Sequence, residues 1–586
     1  MTMRVIFFLL AGFSAIAQND FNTVYESGNG NQTATYAETI AFYRKLDAAF
    51  ETIEMREIGF DDSGEPLHLV TFNPDKVFDF GKIHQTKAVI LINNGIHPGE
   101  PDGIDATMML LRDYATGKKK APKNVVLAVI PIYNIGGALN RNSHSRANQD
   151  GPESYGFRGN ARNYDLNRDF IKSDTKNTKG FVDIFRLTNP EIFIDNHVSN
   201  GADYQYVLTY IMTMHHKLGP VLGKYLNQDM MPALVQDLKG KKIESTPYVN
   251  AWSDTPDKGF AQFFESPRFA TGYTSLFNTI GFVVETHMLK KYPARVKATY
   301  EFMVSAIEFT DLNVKPIQES RAKNHESYQP GNAYPIKWEI DSAQVEKLRF
   351  NGYEGAMMKS DVTNGQRLYY DRKKPFEKDI PYYKAYKATK EVTIPKAYIV
   401  PKAFWDVIDL LKANGMAFRE LARDTVIEVE SYKIADYKTT PNAYEGHYLH
   451  RNTSVTKTVE KVTFTKGDLL FPTNQPGVKY LLETLEPEAV DSFFNWNFFD
   501  TVLQQKEHYS DYVFEDTAAK LLADNPDLKK AFEAALAESK LRENEGDLIN
   551  TKSLHNSPEA QLDWVYKHSP YYEKAHLQYR IYRILD

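Results

Sequence analysis

Val89-Ile90-Leu91-Ile92-Asn93-Asn94-Gly95-Ile96-His97-Pro98-Gly99-Glu100 is the stretch on which the reading of this chain turns. Its first four residues form a short, continuously apolar run, the pattern of a strand buried on both faces. Asn93-Asn94-Gly95 end that run with loop chemistry. Two metal-capable side chains then stand three positions apart with Pro and Gly between them. Pro presets φ near −65° at the second position of a turn, and Gly accepts positive φ at the third. Such a turn brings its first and fourth residues together, so an imidazole and a carboxylate can reach one ion. A strand that ends in a His/Glu pincer is a common beginning for a catalytic zinc site.

The surrounding chain is long enough to build on this start. It has 586 residues, 42% hydrophobic and 13% aromatic, which supports packed cores and two to four domains. A formal charge of −6 with acids and bases well mixed argues against nucleic acid as a partner. Lys118-Lys119-Lys120, after a helix end at Gly117, reads as a solvated loop. There is no cysteine, so any metal must be held by His, Asp and Glu. Arg4, the apolar run Val5 to Phe13 and Ala15-Ile16-Ala17 have the layout of a cleavable signal peptide over residues 1–17. No other stretch is apolar over the length a transmembrane helix needs. The expected location is therefore outside the cytoplasm, periplasmic or secreted.

Strand and helix signals alternate up to about Thr310. Apolar runs at 67–72, 89–92, 125–132, 192–194 and 282–284 read as strands, and 104–114, 217–227 and 295–308 as helices. This is an α/β pattern, a mixed sheet flanked by helices, expected over residues 18–314. Pro316, Pro330, Gly331 and Pro335 among polar residues predict a linker at 315–335. Short alternating segments predict a mainly β accessory domain over 336–475, and helical signals a C-terminal helical region over 476–586.

Four further elements bear chemistry. Asp165-Leu166-Asn167-Arg168-Asp169-Phe170 lies in a loop rich in Asn and Arg, and an Asn-Arg pair can hold a carboxylate. His197 directly follows the strand Glu191 to Asp195, at the carboxyl edge where open α/β sheets bind ligands. With His97 and Glu100 it completes a three-ligand set that leaves a position for water. Glu285 closes a buried apolar strand, where an unused carboxylate is costly, and is the candidate general base. In Ser266 to Tyr273, either Arg268 or Tyr273 can face the cleft. Glu445, His447 and His450, like His215-His216, read as surface groups.

The order H-P-G-E, D-L-N-R-D-F, I-D-N-H and F-V-V-E-T-H resembles the zinc carboxypeptidase family of the carboxypeptidase A and D type. Ile130 to Gly137 resembles that family's Pro-x-x-Asn-Pro-Asp-Gly segment, with Ile135-Gly136 in place of Pro-Asp. The likeness spans roughly residues 35–310. It implies a single sheet with one zinc ion at its carboxyl edge, held by His97, Glu100 and His197. It implies Glu285 as general base and then acid, Asn167 and Arg168 on the substrate's terminal carboxylate, and an Arg that polarises the scissile carbonyl. Arg158 is the choice for that Arg, with Arg162 and Arg146 as alternatives. Tyr273 is the nearest match to the family's Tyr ahead of the base. The implied activity is hydrolysis of C-terminal peptide bonds in peptides with a free carboxylate. A related zinc amidohydrolase acting on peptidoglycan stem peptides or acylated amino acids is the competing reading. A non-catalytic peptide-binding protein would have lost a ligand or the base, and all four positions are present.

Overall fold

The structure, a computed structural model, describes residues 21–252, 254–544 and 553–585. The signal-peptide expectation falls outside them. Nine strands are laid down before residue 290: β1 Ile53–Phe60, β2 Pro66–Phe72, β3 Ala88–Asn93, β4 Val125–Ile130, β5 Ile192–Ser199, β6 Leu208–Met212, β7 Ser245–Pro247, β8 Phe260–Ala261 and β9 Ile280–His287. All but β8 form one eight-stranded sheet in the order β1-β2-β4-β3-β5-β9-β6-β7. Its centre, β4-β3-β5-β9, is parallel, while β2 runs antiparallel to β1 and β4, and β6 antiparallel to β9. Every residue of β3, β4 and β5 is buried. That is why β4 and the first residues of β3 and β5 read as apolar runs, and the sheet is mixed as expected.

Helices cover both faces. Asp102–Ala115, Met231–Gly240 and Tyr292–Glu326 pack on one face around Ile90, Ile92, Phe282 and Phe302. Lys176–Thr188 lies on the other, around Leu91, Phe181, Phe185 and Phe193.

The linker expected at 315–335 is corrected over its first part. Tyr292–Glu326 is one helix that runs through Pro316, with a non-helical turn at Asn313. The missing N–H of Pro316 bends the helix rather than ending it. Its last turns are held by packing: Ile317 and Asn324 are buried, and the Asn324 side chain donates to Leu218 O and Asn278 Oδ1 at 2.9 Å each.

The rest of the chain is richer in strand than its short apolar runs suggested. β10 Ala333–Ile340 pairs with β13 Tyr386–Thr393, and β11 Glu346–Lys359 with β12 Gln366–Tyr383. β12 also pairs with β8, so a long hairpin hangs on the first unit. A six-stranded sheet follows, made of β14 Ala397–Val400, β15 Arg419–Glu420, β16 Thr425–Thr439, β17 His450–Phe464, β18 Leu469–Pro472 and β19 Gln578–Ile584. β19 comes from the segment expected to be helical. Its alternation of buried Tyr579 and Ile581 with half-buried Gln578 and Arg580 is a strand pattern that the helical signals around it obscured.

Candidate metal centre and cleft

The β3 exit forms the expected turn, with Glu100 N donating to His97 O at 2.8 Å. The glycine serves it differently from the expectation. Positive φ is used at Gly95, whereas Gly99 is required for space, because a Cβ there would stand 2.7 Å from Arg146 Cδ. His197 lies near the end of β5, in register with Glu285 on β9. The parallel strands therefore deliver the turn, the second histidine and the candidate base to one edge.

His97, Glu100 and His197 form a buried cluster in which one ligand atom from each lies within 4.8 Å of the others. Glu100 sits between the rings. Its Oε1 is 3.3 Å from His97 Nδ1, and its Oε2 is 3.2 Å from His197 Nδ1. Behind each ring stands a carboxylate: Asp165 Oδ1 is 2.9 Å from His97 Nε2, and Asp195 Oδ2 is 3.0 Å from His197 Nε2. Asp165 assigns the His97 proton to Nε2 and leaves its Nδ1 lone pair facing Glu100, while Asp195 stands close behind His197 without hydrogen-bond geometry; the donor set fits a divalent cation. Asp195 is fixed in turn by Asn93 Nδ2 at 3.0 Å. It belongs here because alternate residues of a strand share a face, so the Asp two positions before His197 points the same way.

The charges agree with this fit. Burial opposes ionisation of Asp165, yet His97, Arg158 and Arg168 hold its carboxyl well below the ordinary range. Burial likewise opposes charge on Glu100, but Arg146 and the two histidines keep it ionised. Burial disfavours a proton on His197, and Asp195 and Glu100 overcome it. Carboxylates that retain a proton there would also retain a cation.

A cleft of about 490 Å³ opens over the cluster and is shared by Arg146, Arg158, Asn167, Arg168, Glu265 and Glu285. Arg146 Nη1 donates to Glu100 Oε1 at 2.9 Å. Arg158 donates through Nε and Nη2 to Asp165 Oδ2, and its Nη1 stands 3.3 Å from His97 Nδ1. Asn167 and Arg168 sit on the short helical turn Leu166–Arg168, capped by Asp165 Oδ1, which accepts from Asn167 N at 3.0 Å. The Arg168 guanidinium lies over the Phe269 ring at 4.3 Å. Glu285 Oε2 is buried and has no hydrogen-bond partner among the described residues. Burial, reinforced by Glu100 and Glu265 and opposed by His197 and Arg158, pushes its carboxyl up to about 8.

Three expected cleft residues lie elsewhere. Tyr273 is fully buried in the core beneath the sheet, among Phe170, Phe181 and Phe185, and its hydroxyl donates to Asn414 Oδ1 at 2.5 Å. The helical turn Ala270–Thr274 directs it inward, and the tyrosine lining the cleft is Tyr248, just after β7. Arg268 pairs with Asp491, and Arg162 reaches Asp174 O instead of the cleft.

No family model matches the chain. Carboxypeptidase 2 of Trichophyton equinum is 21% identical over 425 residues, covering 70% of this chain and 73% of the relative. Carboxypeptidase 2 of Trichophyton rubrum is 20% identical over the same span. Among solved structures, the metallo-carboxypeptidase of Burkholderia cenocepacia covers 48% of this chain and 70% of its own, at 15% identity and a TM-score of 0.36. Carboxypeptidase A of Helicoverpa armigera covers 52% and 79%, at 13% identity and a TM-score of 0.36. The chain thus carries a His-Glu-His cluster at the carboxyl edge of its sheet and is similar, along most of its length, to curated carboxypeptidases.

Proposed function

We propose that this protein is an exported, zinc-dependent metallocarboxypeptidase that hydrolyses C-terminal peptide bonds. One observation carries the reading: a single cleft holds a His-Glu-His donor set, an unpartnered carboxylate and an Asn-Arg pair. His97 and His197 through Nδ1, with the Glu100 carboxylate, would hold one zinc ion. Bound there, zinc supplies Lewis acidity and lowers the pKa of a water.

The chain's own residues do the rest. Arg168, laid flat on Phe269, and Asn167 orient the substrate's terminal carboxylate, and a planar fork suits that group. Arg158, anchored on Asp165, turns its Nη1 toward the cluster, where it can stabilise charge developing on the scissile carbonyl. Glu285 takes the proton of the attacking water. It delivers that proton to the nitrogen that leaves as the C–N bond breaks, and its raised proton affinity suits both transfers. Export is supported by the Arg4, Val5 to Phe13 and Ala15-Ile16-Ala17 pattern. No helix among the described residues is long and apolar enough to cross a membrane.

The test is a zinc assay with a panel of peptides bearing free, amidated or D-configured C-termini. Stoichiometric zinc and release from free L-ends are expected. Equal cleavage of amidated ends, or absence of zinc, would overturn the reading. Activity confined to D-configured stem peptides or acylated amino acids would move it to a related zinc amidohydrolase. Glu285→Gln should keep zinc and lose roughly 10²–10⁴-fold in kcat.

A further inference from the structure

The accessory region reaches the catalytic loop through a tight turn, Tyr444-Glu445-Gly446-His447. Tyr444 and His447 exchange backbone hydrogen bonds of 2.7 and 3.1 Å, and both central residues have positive φ, +47° at Glu445 and +82° at Gly446. Glycine accepts that conformation freely, but a glutamate in it is strained. Strain of this kind persists where the surroundings fix it and a site uses it.

What Glu445 does there is specific. Its Oε2 accepts from Asp165 N at 2.9 Å. Asp165 is the residue whose carboxylate backs His97 Nε2, anchors Arg158 and caps the turn carrying Asn167 and Arg168. The turn is also docked on both sides. His447 Nε2 meets Asp174 Oδ2 at 2.7 Å, and Asp174 shares the buried Lys172 ammonium with Asp169. A Cβ on Gly446 would stand 2.5 Å from Tyr164 Oη, so the turn lies flush against the residue before Asp165.

We propose that the Tyr444–His447 turn is a positioning element of the active site. Glu445 sets Asp165 and, through it, the His97 ring and the Asn167–Arg168 pair, while His447 holds the turn in register. The proposal rests on the metallocarboxypeptidase reading of the cleft. Glu445 touches neither metal nor substrate, so its role is felt through Asp165.

Glu445→Ala, Glu445→Gln and His447→Ala in the full-length zinc-loaded protein test it. The measurements are kcat and KM on a free-carboxylate peptide and the rate of zinc release to a chelator. Outer-shell partners of metal ligands typically carry 10–100-fold of affinity or activity. Glu445→Ala is therefore expected to lose about ten-fold in kcat/KM and to release zinc about ten-fold faster. Glu445→Gln should recover most of both, because its amide oxygen can still accept from Asp165 N. His447→Ala should resemble Glu445→Ala, and the double variant should be no worse than either, since all three break one linkage.

Wild-type kcat/KM and zinc release in Glu445→Ala would overturn the proposal. So would a loss that Glu445→Gln does not recover, which is the mark of a merely structural role. A wild-type protein that retains zinc but releases no C-terminal residue would overturn the carboxypeptidase reading alone. The zinc-release comparison would then still decide the role of Glu445. A wild-type protein that holds no zinc would overturn both.

Discussion

Glu285 is the residue whose environment makes the strongest statement about chemistry. Its register partner on β5 is His197, and Glu100 and Glu265 are close enough to raise its proton affinity. On the proposed reading Glu285 is the general base, which works only when ionised, so kcat/KM should climb with pH through a limb set by Glu285. A cation on the His97, Glu100 and His197 donors pulls that limb below the value of about 8 that the protein groups alone impose. Glu265→Gln removes one negative neighbour. It should therefore move the limb to lower pH, and a limb that stays put or rises in a pH–rate profile would contradict this electrostatic account. The clustering of His97, Glu100 and His197 was legible because each follows an apolar run that a strand must bury, at the edge where strands end together. The tyrosine was not. Whether Tyr273 or Tyr248 faces the cleft depends on the rotation of one short helical turn, and the side chains on either side of Tyr273 are no guide to it.

At the scale of elements, the short turn bearing Asn167 and Arg168 is steadied by the segment Ser266 to Ala270. Ala270 N donates to Asn167 Oδ1, and Phe269 underlies Arg168. That segment is tied to the C-terminal region by Arg268. Its backbone N and its Nε donate to Asp491 at 2.9 and 2.8 Å, and its guanidinium lies 5.0 Å above the Trp496 ring. Asp491 is fully buried. Removing the cation leaves an uncompensated buried charge, which typically costs about 3–5 kcal/mol. Arg268→Ala should lose stability on that scale in a urea titration. The same change in an Asp491→Asn background should cost distinctly less, because the two groups act as a pair. Additive losses would mean that Arg268 stabilises through its packing on Trp496. Apolar runs identified β2, β3, β4, β5 and β9 of the central sheet, where burial on both faces leaves an apolar trace, and missed β1, β6 and β7. Sequence pattern misjudged 315–326, because Pro316 is tolerated where Ile317 and Asn324 are locked by packing that only the tertiary structure supplies. It likewise left Glu445 and His447 as surface groups, since nothing local reveals that their turn is pressed against Tyr164.

Over the whole molecule, the accessory region and the catalytic sheet share one apolar interior. Phe181, Phe185 and Tyr273 on the sheet side belong to the same buried cluster as Val407, Leu411, Tyr480, Phe493 and Trp496. The Tyr273–Asn414 and Lys217–Glu483 contacts cross the same boundary, with Lys217 and Glu483 buried 3.1 Å apart. The units that composition suggests therefore share the largest part of their core, beside smaller clusters such as that of Ile399, Val429 and Tyr582 that lie wholly in the accessory region. A chain cut after Ser327 would leave that face of the sheet exposed and Lys217 without its carboxylate, a combination of apolar patch and unpaired buried charge that favours aggregation. The truncated protein is expected to be poorly soluble and rapidly degraded in limited proteolysis. The full chain should unfold with its core lost in a single cooperative transition monitored by tryptophan fluorescence and circular dichroism together. A truncated protein that keeps a sharp thermal transition would show that the shared interior is an ordinary domain interface. If it also kept zinc and wild-type kcat/KM, the catalytic loop would be rigid without Glu445 and Asp491 to hold it.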